Sequence, residues 1–206
     1  MKIFGIGMNY AQHNKELGVA LYIQEEPVVF TKADSALLTH GRPFFIPDFT
    51  QRCDYETELV VRICRLGRSI PECFAHRYYD AVTVGIDFTA RDLQAVAREK
   101  GLPWDCCKGF DGSAAVGEFV PVTELGHDIQ DLHFHLDVNG QTVQQGHTAD
   151  MLHPVDKLVA YISRFFTLKM GDLIFTGTPV GVGLVHENDH LAGWLEDKKL
   201  LEFNVK

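Results

Sequence analysis

Three carboxylates, Glu56, Glu58 and Asp87, stand in or beside short segments rich in β-branched residues. Side chains two positions apart on a strand share a face, so Glu56 and Glu58 are predicted to point the same way, roughly 7 Å apart along the chain. Asp87 ends a second predicted strand, residues 81–86. Two like charges this close disfavour each other unless both lie in water or share a cation. The spacing fits either a solvated strand face or a cation site, and alone it does not bring Asp87 to the glutamates.

The segment after the second strand carries a cation and an amide on one predicted helix face. Thr89 and Asp92 have the spacing of a capping box, which predicts a helix that ends at Gly101. Arg91 and Gln94 are three positions apart and share a face of its first turn. A cation and an amide at a helix start, directly after a strand that ends in a carboxylate, are well placed to line a pocket.

A histidine and a glutamate form a second pair near the start of the chain. Asn9 is predicted to cap a helix over residues 10–17, with Gly18 as its stop. On this helix His13 and Glu16 are three apart, close enough for a hydrogen bond between the imidazole and the carboxylate. The spacing is equally typical of a solvated helix face, so the sequence pattern leaves both interpretations open.

Other candidate groups are less specific. Lys108 lies beside two cysteines in a predicted loop, residues 104–117, where a lone lysine is usually solvated. Lys32, in a short predicted strand, has either a structural role or a place near the pocket. His133 and His135 share one strand face and suggest zinc, but no third ligand is close in sequence.

The remaining pattern predicts a mixed α/β chain with many short strands and few helices. Residues 132–145 form a predicted hairpin with a type I′ turn at Asn139-Gly140. Pro154 is predicted to open a helix whose apolar stripe packs into the core. The turn at residues 176–183 lacks the third glycine and the following helix of a dinucleotide site, so a Rossmann domain is not indicated.

Composition limits the class of protein. The chain has 206 residues, enough for one domain with a full core, and a formal net charge of −9. Nucleic-acid binding rewards clustered Lys and Arg, and the chain has no such run. The five cysteines are odd in number and lack paired zinc spacing, so they are predicted to be free thiols. With no apolar run of about 18 residues and no signal-like start, the default expectation is a cytoplasmic protein.

Several short motifs, taken in order, resemble the fumarylacetoacetate hydrolase family, in its short acylpyruvase and oxaloacetate decarboxylase-like branch. They are Gly7-Met8-Asn9-Tyr10 with His13 and Glu16, Asp54-Tyr55-Glu56 with Glu58-Leu59, Gly85 to Gln94, Gly101 to Trp104, Lys108 to Asp111, Thr167-Leu168 with Gly171-Asp172, and Thr176 to Pro179 with Gly181-Val182-Gly183. The resemblance implies a β-rich α/β roll of distorted sheets with a few short helices. It also implies one catalytic domain over residues 1–206, a lid within residues 1–50, and a homodimer.

The resemblance also implies roles for single residues. Glu56, Glu58 and Asp87 are the implied ligands of a divalent metal, and hard oxygen donors suit Mg²⁺ or Mn²⁺. His13 and Glu16 resemble a catalytic dyad, with Lys108 as a third catalytic group. Arg91, Gln94 and Thr178 are the implied contacts of an anionic substrate. Met8 stands where many relatives carry arginine, which removes one cation from near the pocket.

This set predicts chemistry on 2-oxo acids. A 2-oxo acid can chelate the metal through its carboxylate and keto oxygens, and the metal then stabilises an enolate. With His13 as general base on water, the expected reaction is hydrolysis of a C–C bond in acylpyruvates or other 2,4-dioxo acids, yielding the metal-bound pyruvate enolate. Oxaloacetate decarboxylation would pass through the same enolate. The alternatives are a 2-hydroxyhepta-2,4-diene-1,7-dioate isomerase, a decarboxylase of 2-oxo diacids, or a metal-dependent binding protein without turnover.

Overall fold

The computed structural model describes residues 1–11, 25–39 and 41–206. In chain order, its strands are β1 (Ile3–Gly7), β2 (Val28–Lys32), β3 (Leu37–Leu38), β4 (Cys53–Tyr55), β5 (Thr57–Ile63), β6 (Tyr79–Asp87), β7 (Thr89–Ala90), β8 (Ala114–Val116), β9 (Val120–Pro121), β10 (His133–Val138), β11 (Gln141–His147), β12 (Leu173–Phe175), β13 (Gly183–Leu184), β14 (His190–Leu195) and β15 (Lys198–Asn204). The α-helices are α1 (Arg91–Lys100), α2 (Asp105–Lys108) and α3 (Val155–Phe165). Short 3₁₀ helices cover Asp34–Ala36, Glu72–Arg77, Val122–Glu124 and Thr148–Asp150.

An eight-stranded mixed sheet forms the centre of the molecule. Its order is β2-β1-β12-β5-β6-β8-β3, and β9 pairs with the far end of β6. The β1–β12 and β3–β8 pairs are parallel and the others are antiparallel. A four-stranded sheet, β11-β10-β14-β15, and a three-stranded sheet, β13-β4-β7, complete the architecture. The expected β-rich α/β roll with a few short helices is confirmed.

The centre of the main sheet is buried because its strands are apolar on both faces. In β5, six of the seven residues are buried, and the last seven residues of β6 are all buried. Helix α3 covers one face with Leu158, Val159 and Ile162, which join the largest apolar cluster of the core. The middle of this sheet is therefore a rigid base for any side chain at the ends of β5 and β6.

Several predicted elements are confirmed. The hairpin consists of β10 and β11, and its turn residues Asn139 and Gly140 have φ angles of 53° and 78°, as a type I′ turn requires. Pro154 precedes α3 directly, and Gly101 ends α1 with a left-handed φ of 64°. Among the described residues, no helix is long and apolar enough to span a membrane.

Two local predictions are wrong. The expected capping box does not form, because Ala90 is the N-cap of α1 and makes no side-chain cap. The Thr89 hydroxyl contacts the Asp87 carbonyl and Lys108 instead, and Asp92 accepts hydrogen bonds from Thr50 and from backbone N–H groups. Residues 104–117, predicted to be a loop, contain α2 and β8. The predicted helix over residues 10–17 falls largely outside the described residues.

Candidate metal and substrate site

The pairing of β5 with β6 brings the three predicted ligands together. The register places Glu58 opposite Gly85, and the Asp87 N–H donates a 2.8 Å hydrogen bond to the Glu56 carbonyl. Gly85 is required there, since a Cβ atom would lie 2.6 Å from Val60 Cγ2 and 2.8 Å from the Ala115 carbonyl oxygen. One carboxylate oxygen from each of Glu56, Glu58 and Asp87 lies within 4.8 Å of the others, and all three residues are buried.

Lys108, at the end of α2, joins two of these carboxylates. Its Nζ donates to Glu56 Oε2 at 2.8 Å, to Asp87 Oδ2 at 2.8 Å and to Thr89 Oγ1 at 2.7 Å. Burial lowers the pKa of Lys108, but the Asp87 and Glu56 carboxylates outweigh burial, so the net direction is upward. The ammonium is therefore held in its charged form beside the acidic cluster.

A second buried lysine, Lys32 of β2, lies behind Asp87. Its Nζ is 2.6 Å from Asp87 Oδ1, donates to Ser113 Oγ at 3.1 Å and also donates to the Lys108 carbonyl oxygen. Burial lowers the pKa of Lys32, and the Asp87 carboxylate offsets only part of that effect. The sequence left open whether Lys32 is structural or lies near the pocket. The structure places it near the site, where it contacts the predicted ligand Asp87.

The negative charge of Glu58 is the least balanced by nearby cations among the three carboxylates. The Gly177 N–H donates to its Oε2 at 2.7 Å, but no ammonium or guanidinium of the described residues lies within 4.0 Å of it. Burial raises the pKa of Glu58 well above its usual value, and the Asp87 and Glu56 charges raise it further. Three clustered oxygen donors, one of them without a cationic partner, fit a hard divalent cation.

Arg91 is fixed by three contacts at the start of α1. Its Nη2 donates to Glu56 Oε1 at 2.7 Å, its Nε to Asp54 Oδ2 at 2.8 Å, and its Nη1 to Gln94 Oε1 at 2.7 Å. Asp54 is fully buried and also bonds Arg52. Arg91 and Gln94 thus share one helix face at the metal ligands, as their spacing predicted, and Asp54 sets the guanidinium orientation.

Thr178 lies in the turn after β12, and a glutamine of the hairpin binds it. The Thr178 hydroxyl donates to the Thr57 carbonyl at 2.9 Å and accepts from Gln144 Nε2 at 2.7 Å. Gln144 also donates to the Pro179 carbonyl at 2.8 Å and accepts from the Thr57 N–H at 2.9 Å. Because its proton is already donated, the Thr178 hydroxyl has only a lone pair left for a ligand.

A narrow cavity lies beside the carboxylate cluster. Its lining residues are Ile6, Gly7, Met8, Phe30, Glu56, Gln94, Arg98, Trp104, Lys108 and Thr178. Met8 adopts a left-handed φ of 61°. The lining combines aromatic rings with carboxylate, amide and ammonium groups, as expected for the site of a small polar ligand.

Seven of the predicted site residues therefore lie together: Glu56, Glu58, Asp87, Arg91, Gln94, Lys108 and Thr178. His13 and Glu16 lie outside the described residues. The imidazoles of His133 and His135 stack on His147 and on Trp194 respectively, and the three-ligand cluster found in the described part of the chain includes neither.

Sequence reasoning missed the parts played by Asp54, Thr89 and Gln144. Asp54 stands inside the acidic motif, two positions before Glu56, and this spacing is the signal that could have found it. The spacing of Thr89 predicts a helix cap and gives no sign of its contact with Lys108. Gln144 offered no local signal, since its partners lie 34 and 87 positions away in the sequence.

The fold and the site define a strand-rich domain built around a buried cluster of three carboxylates that fits a divalent cation. The family model described as fumarylacetoacetate (FAA) hydrolase C-terminal matches residues 2–206. The chain belongs to the fumarylacetoacetate hydrolase family, whose members are enzymes, and the resemblance found in the sequence is confirmed.

Three similar proteins are informative. Oxaloacetate tautomerase YcgM of Escherichia coli K12 is 41% identical over 191 residues, which cover 93% of this chain and 86% of that protein. The fumarylpyruvate hydrolase of Pseudomonas aeruginosa, solved in complex with Mn²⁺ and pyruvate, has a TM-score of 0.92 and 35% identity, covering 100% of this chain and 89% of that one. The 2-hydroxyhepta-2,4-diene-1,7-dioate isomerase of Mycobacterium marinum has a TM-score of 0.85 and 31% identity, covering 99% and 73%.

Proposed function

We propose that this protein is a divalent-metal-dependent enzyme that converts small 2-oxo acids by way of an enolate. The observation that carries the proposal is the buried Lys108 ammonium, 2.8 Å from both Glu56 and Asp87, at the edge of the three-carboxylate cluster. A cation fixed in a buried site stabilises negative charge that develops on a reacting oxygen more strongly than it would in water.

Glu56, Glu58 and Asp87 would hold the metal, with Mg²⁺ or Mn²⁺ as the proposed ion. A metal bound there supplies Lewis acidity to the keto oxygen and lowers the cost of forming the enolate. The structure solved with Mn²⁺ and pyruvate, 35% identical to this chain, supports both the ion and the ligand class.

The chain's own residues bind and orient the substrate. Lys108 donates all three of its N–H groups to protein oxygens, so it can reach a substrate oxygen only by exchanging one of these hydrogen bonds. Gln94 Oε1 accepts from Arg91, which leaves its amide N–H₂ to donate to a carboxylate. Thr178, with its hydroxyl proton engaged, would position the ligand by accepting a hydrogen bond or through its backbone.

The leading reaction is the keto–enol interconversion of oxaloacetate, accompanied by its decarboxylation. The relative that is 41% identical over 93% of the chain is an oxaloacetate tautomerase. Because of this similarity, we favour tautomerisation over the hydrolysis that the sequence motifs indicated. Hydrolysis of 2,4-dioxo acids is the second candidate, favoured by the likeness to a fumarylpyruvate hydrolase. It requires an activated water, for which the predicted pair is His13 and Glu16.

Direct assays test the proposal. The purified protein, stripped with EDTA and then supplied with Mg²⁺ or Mn²⁺, is assayed for loss of the enol absorbance of oxaloacetate and for cleavage of acetylpyruvate. Metal-dependent turnover of either substrate is expected, with oxaloacetate the better one. Metal binding without turnover of any 2-oxo acid would contradict the enzyme assignment and favour a binding protein.

The expected homodimer and cytoplasmic location stay predictions. Light scattering on the purified protein, with twice the chain mass of 23.2 kDa as the expected result, tests the first. Fractionation of cells that produce the protein tests the second.

A further inference from the structure

Helix α1 carries a third polar residue on the face that meets the site. Arg91, Gln94 and Arg98 are spaced i, i+3 and i+7 and therefore lie along one side of the helix. Gln94 and Arg98 both line the cavity that also contains Glu56 and Lys108. The first two residues of this stripe are hydrogen-bonded to each other, whereas Arg98 lies one turn further along the helix and is exposed.

An aromatic wall holds the Arg98 guanidinium in place. It lies 5.4 Å from the ring centroid of Trp104, and that ring packs against Phe30 with a centroid separation of 5.7 Å. Trp104 also borders Gly7, where a Cβ atom would come within 3.4 Å of the indole ring. A guanidinium stacked on an aromatic face keeps its charge and its N–H donors directed sideways, toward an incoming ligand.

The Arg98 charge has no acidic partner in the described part of the chain. Arg62, Arg91 and Arg164 each form an ion pair there, but no carboxylate of the described residues lies within 4.0 Å of the Arg98 guanidinium. Partial burial lowers the pKa of Arg98 and the charge of Arg91 lowers it further, while the Glu56 charge offsets part of this effect. An arginine remains protonated in proteins, so the charge persists.

We propose that Arg98 binds the distal carboxylate of a 2-oxo dicarboxylic acid, and so selects diacids over substrates with an uncharged far end. This rests on the proposed function, because the near end of the ligand is placed at the carboxylate cluster. The helix rises about 1.5 Å per residue, so Arg98 lies about 6 Å along the axis from Gln94 and about 10 Å from Arg91.

A matched pair of ligands isolates the distal carboxylate. 2-Oxoglutarate and 2-oxovalerate have the same five-carbon chain and the same 2-oxo acid end, and they differ only in whether the far end is a carboxylate or a methyl group. Calorimetric titration of both into the Mn²⁺-loaded protein measures binding without requiring turnover. We expect the wild-type protein to prefer 2-oxoglutarate at least tenfold, as a charge-assisted contact predicts.

Three variants make the test specific. Arg98→Met keeps the length of the side chain and its packing on Trp104 but removes the charge, and it should abolish most of the preference while leaving 2-oxovalerate affinity within about twofold. Arg98→Lys should retain part of the preference. Lys100→Met, at the exposed end of the same helix and outside the cavity lining, is the control and should behave like wild type. Circular dichroism confirms that each variant is folded.

The outcomes separate this inference from the proposed function. Equal affinity of the wild-type protein for both acids, or an unchanged preference in Arg98→Met, overturns the role of Arg98 and leaves the enzyme assignment standing. The protein could also prefer 2-oxoglutarate, lose that preference in Arg98→Met, and yet turn over no 2-oxo acid. That result would contradict the proposed function and support the role of Arg98. Loss of affinity for both acids to the same extent in Arg98→Met also overturns it, since the residue would then support the site as a whole.

Discussion

Lys32 Nζ lies 2.6 Å from Asp87 Oδ1, and both side chains are almost completely buried. Lys32 contacts Asp87 on one oxygen while Lys108 donates to the other. The carboxylate is thus held between two ammonium groups before any ligand binds, which fixes its orientation in the cluster.

The Lys32→Met variant tests how much this buried pair contributes to stability. Removing one partner leaves the Asp87 charge partly uncompensated, and we expect the free energy of unfolding to fall by roughly 3–5 kcal/mol in urea titrations. The control is Arg62→Met, which breaks the Arg62–Asp80 pair, whose side chains are 39% and 45% exposed, and should cost less than about 1 kcal/mol. Equal losses in the two variants would mean that the buried Lys32–Asp87 pair contributes no more to stability than the exposed pair.

Glu58→Gln tests the metal site with the smallest disturbance to the protein. The amide oxygen can still accept the Gly177 hydrogen bond, so the fold should persist while one anionic ligand is lost. Calorimetry should show Mn²⁺ affinity reduced at least tenfold, and added Mn²⁺ should no longer raise the melting temperature as it does for wild type. Glu202→Gln, an exposed glutamate paired with Lys199, is the control. Unchanged Mn²⁺ affinity in Glu58→Gln would remove this residue from the ligand set.

The predicted His13–Glu16 pair separates the two candidate reactions. Hydrolysis of a 2,4-dioxo acid needs an activated water, and general-base assistance is worth about 10²–10⁴-fold, so His13→Asn should lower acetylpyruvate cleavage by roughly two or more orders of magnitude. Oxaloacetate decarboxylation needs no attacking water, because loss of CO₂ leaves the enolate directly, and it should fall much less. Glu16→Gln should show the same asymmetry more weakly. An equal fall in all reactions would indicate that His13 does not act as the base on water.

Gln144 tests the link between the hairpin and the turn that carries Thr178. Gln144→Met removes the acceptor of the Thr57 N–H and the donor to Thr178, leaving buried polar groups unpaired, and should destabilise the protein by about 1–3 kcal/mol. KM for the 2-oxo acid should rise as well, because the Thr178 turn loses its anchor. Gln145→Met, at the exposed neighbouring position, should change neither quantity. Normal KM in a destabilised Gln144→Met protein would confine the residue to a structural role.

The cysteines should differ sharply in reactivity. Burial raises the pKa of the Cys53 thiol to about 12, so at pH 8 only about one molecule in ten thousand carries the reactive thiolate. Cys73 and Cys106 are exposed and should react with a thiol reagent within minutes, whereas Cys53 should react only after unfolding. An unfolded cysteine ionises near pH 8.5, so the native state holds this proton more tightly, and stability should decline as the pH rises from about 8.5 toward 12. Mass spectrometry that finds Cys53 labelled in the native protein would contradict this prediction.

Local periodicity predicted the parts of the site that lie on one element. The shared face of Glu56 and Glu58 follows from the two-residue repeat of a strand, and the shared face of Arg91 and Gln94 from the helix turn. The meeting of Asp87 with the glutamates depends on the register of two strands, which the sequence alone does not determine. The resemblance to the family motifs, and not the spacing, predicted that Asp87 joins the two glutamates.

Predictions failed where a side chain bonded a distant part of the chain instead of its neighbours. Thr89 has the spacing of a helix cap, but its hydroxyl oxygen accepts a hydrogen bond from the Lys108 ammonium, 19 positions away. Arg98 matched the ordinary pattern of a charged, solvated helix position. Its place beside the cavity depends on the Trp104 ring, which packs against Phe30, and the helix pattern does not indicate either contact.

The strand order of the central sheet has a consequence for synthesis on the ribosome. Strand β12, formed by Leu173–Phe175, lies between β1 and β5, so β1 cannot join the central sheet until residues 173–175 have emerged. Until then β1 and β2 have no partner in the rest of the sheet, and Gly177 cannot reach Glu58. Such long-range pairing slows folding and exposes apolar strand edges while translation continues. Nascent chains that end before residue 173 should therefore depend on chaperones or be degraded, even though they already contain all three predicted metal ligands.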